Sequence, residues 1–199
     1  MHPTRDTLIQ TAMKLFSEKG YNSTSVADIL KQSNVHSGSL YHYFETKQSL
    51  LVAVLETYRD GIETMLIRPA WEGVENPINR VFALLSRYRE LLEVTDCNYG
   101  CPIGSLALEI HEPDPPVRTL LAANFDRWTS FVEGCFNSAR KQLPPKTDTR
   151  ALAIFVLTTM EGGVMLSRTH RNLEAFDASV SMLKDYVKRL NSAARNSTH

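Results

Sequence analysis

Apolar residues recur every three or four positions along almost the whole chain, the spacing that places them on one face of an α-helix. No stretch of alternating β-branched and polar residues is long enough to indicate a sheet. The sequence therefore predicts an all-α fold of about nine helices. The first helix should begin near Thr4 and end at Gly20, where a residue without Cβ can adopt the left-handed backbone that closes a helix. Its predicted buried face comprises Leu8, Ile9, Ala12, Leu15 and Phe16.

Two short helices joined by a tight turn are predicted next. Thr24 is a suitable capping residue for a helix over residues 25–32. Asn34 tolerates the positive φ of a turn, and a third helix is predicted over residues 37–44. Two short helices so closely joined form a helix-turn-helix.

The rest of the chain continues as longer helices. Thr46 is predicted to cap a fourth helix that ends at Arg68-Pro69. Later helices are expected to follow Asn76-Pro77, to follow Asp114-Pro115-Pro116 as far as about Lys141, and to span about 148–169 and 176–194. This pattern predicts an N-terminal three-helix bundle over residues 1–50 and a larger helical domain over residues 51–199.

Composition excludes several classes of protein. Lysine plus arginine and aspartate plus glutamate both total 22, so the formal net charge is zero and any binding to DNA must depend on a local surface. Cys97 and Cys101 have C-x3-C spacing with no second pair, which indicates neither a zinc site nor a disulfide framework. We expect free thiols, no metal and no cofactor.

A cytoplasmic location without membrane association is predicted from the apolar segments. The N-terminus has no basic stretch leading into an apolar run, so no secretory signal is expected. The longest apolar stretch, residues 151–166, contains Glu161 and is shorter than the roughly 20 residues that span a bilayer.

The third helix carries the candidate DNA-binding surface. Gly38 and Ser39 would let the DNA backbone approach, while Tyr41 and His42 would reach phosphates or base edges. Lys47, at the start of the fourth helix, would add a phosphate contact. The same aromatic side chains could instead be ordinary packing with a solvated rim.

Residues 4–51 closely resemble the DNA-binding domain of the TetR family of transcriptional regulators. The resemblance is carried by the segments 20–29 and 34–44 and by Lys47-Gln48-Ser49-Leu50. It implies a homodimer that binds double-stranded operator DNA. The family positions that contact the operator correspond to Thr24, Ser25, Ser37, Gly38, Ser39, Tyr41, His42 and Lys47.

Two residues depart from the family pattern in the first turn of the third helix. His36 stands where a small hydroxyl residue is common, and Ser37 stands where lysine is common. His36 should be a poorer capping residue than serine or threonine. We expect it to serve sequence preference or a phosphate contact, or to be a solvated turn residue.

The resemblance also implies that the last two helices pair with a second chain. Gly162 and Gly163 lie inside an apolar helix, where each costs roughly 1 kcal/mol relative to alanine, so they indicate a close helix approach or a kink. Met182 and Tyr186 belong to an apolar stripe on the final helix that could be buried within the chain or across a dimer. These four residues form the predicted dimer interface.

An effector pocket is expected in the larger domain. Aromatic residues of the middle helices could line a pocket for a small apolar or aromatic ligand, or could be plain core. The predicted pocket residues are Tyr88, Cys101, Phe125, Trp128 and Phe155.

One cysteine segment also resembles part of the family. Residues 100–109 resemble the G-C-x-x-x-x-L-x-x-E stretch of one branch, some members of which respond to oxidants or electrophiles. At a helix N-terminus, Cys101 would have a lowered pKa and could sense electrophiles with Cys97 as a resolving thiol. The alternative is a small buried side chain.

Catalytic motifs are missing from the sequence. His111-Glu112 is not followed by a second histidine at helical spacing, and no nucleophile-elbow or phosphate-loop pattern occurs. We therefore predict no enzyme and no catalytic residues. The predicted function is a repressor released from a palindromic operator by a ligand or by cysteine modification. An activator, and a helical adaptor that does not bind DNA, remain open.

Overall fold

The computed structural model describes residues 3–112 and 114–196, apart from the side chains of residues 195 and 196. Within these ranges the chain is helical and contains no strand. Its helices are α1 (Pro3–Lys19), α2 (Val26–Ser33), α3 (Ser37–Tyr43), α4 (Lys47–Ile62), α5 (Arg68–Trp71), α6 (Pro77–Glu93), α7 (Pro102–Glu109), α8 (Pro115–Ser138), α9 (Thr149–His170) and α10 (Glu174–Asn196). A π-helical turn, Glu63–Ile67, joins α4 to α5 without a break, so the described residues form nine separate α-helices, as predicted.

The chain divides into two compact units. The first comprises the described residues of Met1–Gly61 and Cys101–Phe125, and the second those of Ile62–Gly100 and Asp126–His199. This division differs from the predicted boundary at residue 50, because α7 and the start of α8 pack with the N-terminal helices. The buried amide of Asn124 on α8, for example, donates to the carbonyl of Leu55 on α4 at 3.0 Å.

The N-terminal bundle has the core that helical spacing predicts. All five predicted apolar residues of α1 are buried, and Met13 joins them. Gly20 closes the helix with φ of 87°, and its N–H donates to the carbonyl of Phe16 at 3.0 Å. Residues 20–24, which lead from α1 to α2, are called the α1–α2 connector below.

The cap of α2 is Ser25, so the prediction of Thr24 as the cap is wrong. The Ser25 hydroxyl accepts the N–H of Asp28 at 3.1 Å, and the Asp28 carboxylate accepts the N–H of Ser25 at 2.9 Å. This reciprocal pair is a capping box. Thr24 is fully buried, and its hydroxyl donates to the carbonyl of Gly20 at 2.7 Å. The Thr24 side chain therefore links the last residue of the α1–α2 connector to its first.

The predicted end of the fourth helix at Arg68-Pro69 is also wrong, because helical backbone continues to Trp71. Pro69 lies in the first turn of α5, directly after the π-helical turn. A residue without an N–H group is tolerated in a first turn, since that N–H would have no partner within the helix. The indole N–H of Trp71 donates to the carbonyl of Arg80 at 2.9 Å and fixes the end of the helix.

The start of α6 in the second unit follows the predicted cap, and the cap of α9 is the residue at which that helix was predicted to begin. Asn76 accepts the N–H groups of Ile78 and Asn79 at the start of α6. Asp148 accepts the N–H of Ala151 at the start of α9. α9 spans 22 residues and is long and apolar enough to cross a membrane. The expectation from residues 151–166 of an apolar stretch too short to span a bilayer is therefore wrong for the whole helix. Core helices share this property, so it is weak evidence for a membrane span.

Candidate nucleic-acid interface

The turn between α2 and α3 holds one face of α3 against the N-terminal bundle. Asn34 takes a left-handed conformation with φ of 53°, as the turn requires. Leu40 on α3 and Phe44 directly after it are 1% and 4% exposed, and Ile29 on α2 is fully buried. These anchors leave the opposite face of α3 open to solvent.

Most of the predicted DNA-contacting residues lie on that open face. Tyr41 is 55% exposed, and a Cβ added at Gly38 would meet no described atom within 4 Å. His36 makes no capping hydrogen bond with its side chain, as expected for a poor cap. The exposed members of the predicted set are Ser25, His36, Ser37, Gly38, Tyr41 and His42, and Ser39 is half-buried.

Thr24 and Lys47 are placed differently from the rest of the predicted set. Burial of the Thr24 side chain removes it from direct contact with DNA. The Lys47 ammonium donates to the carbonyls of Tyr21 at 2.8 Å and Thr24 at 2.9 Å, and lies 4.1 Å from the centre of the Tyr21 ring. Partial burial lowers the pKa of Lys47, and the Glu109 carboxylate opposes that shift. Two of its three N–H groups are occupied within the chain, which leaves one for a phosphate.

A carboxylate from α7 binds the same connector. Glu109 accepts the N–H of Tyr21 at 2.8 Å and the N–H of Asn22 at 2.6 Å. Burial raises the pKa of the Tyr21 hydroxyl, and the carboxylates of Asp114 and Glu109 raise it further. Sequence reasoning missed this role of Glu109, although the residue is the last position of the G-C-x-x-x-x-L-x-x-E segment.

The cysteines are buried thiols. Cys101 directly precedes α7, so the expected position at a helix N-terminus is confirmed, while its proposed reactivity stays a prediction. Burial raises the pKa of Cys97, against the opposing effect of Arg171. Burial also raises the pKa of Cys135 to about 11. The shift at Cys97 disfavours the thiolate that its predicted role as a resolving cysteine needs.

The predicted effector residues are divided between the two units. Cys101 and Phe125 belong to the first unit, whereas Tyr88, Trp128 and Phe155 belong to the second. Trp128 is 3% exposed, and its indole N–H has no hydrogen-bond partner among the described residues. Phe155 is 46% exposed on α9 and contacts Tyr186 edge to face at 5.8 Å. Phe155 therefore lies with the predicted dimer residues on an open face instead of in the buried core.

An open groove of about 1180 Å³ runs along α9 and α10; we call it the α9–α10 groove. Its lining includes Phe155, Gly162, Met182 and Tyr186, and Met182 is 70% exposed. A Cβ at Gly162 would meet no described atom within 4 Å.

Gly163 faces its own chain. A Cβ at this position would lie 3.0 Å from Cδ2 of Phe176 on α10. The predicted close approach at Gly163 is thus an internal contact, although Gly163 also lines the α9–α10 groove, and its place in a dimer interface stays a prediction.

Family comparisons agree with this architecture. Residues 8–54 match the family model described as bacterial regulatory proteins of the tetR family. Residues 77–181 match the model described as the C-terminal domain of LmrA/YxaF-like transcriptional regulators.

Individual relatives match along nearly the whole chain. An HTH-type transcriptional regulator of Mycobacterium tuberculosis is 31% identical over 192 residues, covering 94% of this chain and 95% of that protein. The HTH-type transcriptional repressor DhaR of Mycobacterium sp. is 26% identical over 187 residues, covering 91% of this chain and 90% of the repressor. A solved TetR transcriptional regulator from Chloroflexus aurantiacus has a TM-score of 0.81 and 26% identity, covering 93% of this chain and 94% of that one.

Proposed function

Because this chain belongs to the TetR family of bacterial transcriptional regulators, we propose that it is a cytoplasmic, homodimeric repressor released from its operator by an effector. Regulators of this family bind DNA and are not enzymes. The similarity to the repressor DhaR supports repression over activation.

The observation that carries operator binding is the two-sided character of α3. Leu40 is buried on one side, whereas Gly38 and Tyr41 are open on the other. A short helix anchored in this way can enter a major groove with its first turn close to the DNA backbone. We assign Ser37, Ser39 and His42 to the same surface, with Ser25 and His36 at its edge.

The α9–α10 groove supports dimerisation through these two helices. Its exposed apolar side chains include Phe155, Met182 and Tyr186 in one continuous lining. Large exposed apolar surfaces mark interaction sites, and a second copy would bury the same surface from both sides. A dimer would place two α3 helices about 34 Å apart, one turn of a near-palindromic operator.

Effector binding is proposed for the core of the second unit. The indole N–H of Trp128 is buried without a hydrogen-bond partner among the described residues, and a buried donor left in this state costs about 1–3 kcal/mol. A ligand with an apolar body and one hydrogen-bond acceptor would satisfy it. Tyr88, which is also buried in this unit, is the second candidate contact. Modification of Cys101 is the alternative signal.

Selection from fragmented source DNA, followed by sequencing and a salt titration, tests this function. We expect enrichment of a near-palindrome.

Gly38→Ala should weaken binding to the selected fragment without destabilising the protein, because the added methyl group meets no protein atom. Failure of the reduced, ligand-free protein to enrich any sequence would favour an adaptor, and a reporter gene activated by the protein would refute repression. A Cys101→Ser protein that still releases DNA on treatment with a quinone would exclude the thiol signal.

A further inference from the structure

We propose that Glu109 is a positioning residue for operator binding, whose carboxylate holds the α1–α2 connector and so sets the helix-turn-helix relative to the end of α7. This inference rests on the proposed operator binding. The two consecutive N–H groups of Tyr21 and Asn22 donate to the two oxygens of this one carboxylate, at 2.8 Å and 2.6 Å. Consecutive amides in a turn form a concave anion site, and hydrogen bonds to a charged acceptor are the stronger kind.

Gly20 makes room for this carboxylate. A Cβ at Gly20 would lie 2.9 Å from each carboxylate oxygen of Glu109, closer than atoms can pack. The φ of 87° at Gly20 is also unfavourable for any residue with a side chain. The glycine at this position therefore allows the left-handed backbone that ends α1 and also leaves space for the Glu109 carboxylate at the end of α7.

The opposite polar groups of the connector bind Lys47. The Lys47 ammonium donates to the carbonyls of Tyr21 and Thr24, while the Glu109 carboxylate accepts the N–H groups of Tyr21 and Asn22. The connector is therefore held between a cation at the start of α4 and an anion at the end of α7. Ser25, the cap of α2, directly follows Thr24, so the orientation of the reading helices depends on both groups.

Glu109 also lies at the end of a short path along the chain. In the second unit, a Cβ at Gly100 would lie 2.9 Å from Cγ1 of Val164, and Arg171 donates to the carbonyl of Cys97 at 3.1 Å. Residues 97–100 are thus packed closely against the end of α9. The next residue is Cys101, and α7 then leads to Glu109.

The test compares Glu109→Gln with Glu112→Gln in the full-length protein. Both variants remove one negative charge, three residues apart, and Glu112 is exposed. Any general gain in affinity for DNA from the lost charge is therefore matched. The readouts are hydrogen exchange at the amides of Tyr21 and Asn22, and affinity for the DNA fragment selected by the wild-type protein.

Faster exchange at both amides and about tenfold weaker binding of Glu109→Gln relative to Glu112→Gln, or about 1.4 kcal/mol, are expected. Faster exchange with equal affinities would overturn the positioning role, and unchanged exchange would overturn the contact itself. If Glu109→Gln unfolds, Glu109→Asp supplies the second test, because it keeps the charge but shortens the side chain that reaches the amides of Tyr21 and Asn22, and it should reproduce both effects. A wild-type protein that selects no DNA would refute the proposed function, and exchange alone would then decide the contact.

Discussion

Gly162 and Gly163 are neighbours on α9, and replacement by alanine should stabilise the chain at Gly162 but not at Gly163. At Gly163 the new Cβ would lie 3.0 Å from Cδ2 and 3.2 Å from Cα of Phe176, so α10 itself has to shift. Overpacking of this kind costs about 1–3 kcal/mol, which exceeds or cancels the gain of about 1 kcal/mol in helix propensity. At Gly162 the new Cβ would meet no described atom within 4 Å beyond its own stretch of helix, so the gain in propensity remains.

In the proposed dimer, the methyl group that stabilises the single chain in Gly162→Ala should weaken the association of the two chains. This residue lines the α9–α10 groove, which we propose is covered by a second copy. A methyl group added there has to be accommodated twice across a two-fold axis. We expect Gly162→Ala to raise the dimer dissociation constant at least about tenfold, or about 1.4 kcal/mol, even though each chain is intrinsically stabilised.

Sedimentation over a dilution series measures the dissociation constant, and urea unfolding at several protein concentrations separates the dimer contribution from intrinsic stability. Wild-type protein is the reference for both variants. An unchanged or tighter dimer of Gly162→Ala would refute the assignment of the groove as the interface. A Gly163→Ala chain as stable as Gly162→Ala would refute close packing on Phe176.

Three further predictions concern single side chains. Tyr41→Ala should weaken operator binding about tenfold or more in fluorescence anisotropy, with the urea midpoint unchanged because Tyr41 is exposed; equal affinity removes it from the interface. At neutral pH a disulfide reagent should react rapidly with at most one thiol, because burial raises the pKa of both Cys97 and Cys135; two rapid thiols contradict this. Hydrogen bonds from Ser25 lower the pKa of Asp28 below its usual 3.8, so its stabilising effect is present above that value and lost as the pH falls through the lowered pKa. Unfolding of Asp28→Asn should therefore depend less on pH below about pH 5, and equal acid slopes would argue against the capping box.

Local backbone chemistry explains which parts of the fold could be predicted. A cap such as Asn76 or Asp148 binds amides two or three residues away, so the signal lies within one short stretch of sequence. The choice between Thr24 and Ser25 was not local. Thr24 is buried in the bundle and donates back to α1, which leaves Ser25 to pair with Asp28.

The sequence could not predict whether a given residue on a long helix faces the core or the open surface. Gly162 and Gly163 are adjacent and chemically identical, yet about 100° of rotation along the helix turns one to the open groove and the other to Phe176. Phe155 has the composition of a pocket residue but lies on an exposed face. Such placements depend on which helices pack together, and the contact of Glu109 with Tyr21 joins residues 88 positions apart.

The internal role of Lys47 changes how this protein must hold DNA. Residues 1–50 contain five basic residues, Arg5, Lys14, Lys19, Lys31 and Lys47, against four acidic ones, Asp6, Glu18, Asp28 and Glu45. With Lys47 committed mainly to the connector, the remaining count is four against four. Because the net attraction to phosphates is then small, affinity for DNA has to come from hydrogen bonds and close approach on α3, which a dimer makes twice. The affinity should therefore depend only weakly on salt concentration. Binding that depends on geometry in this way is sensitive to small changes in the connector, which is where Glu109 acts.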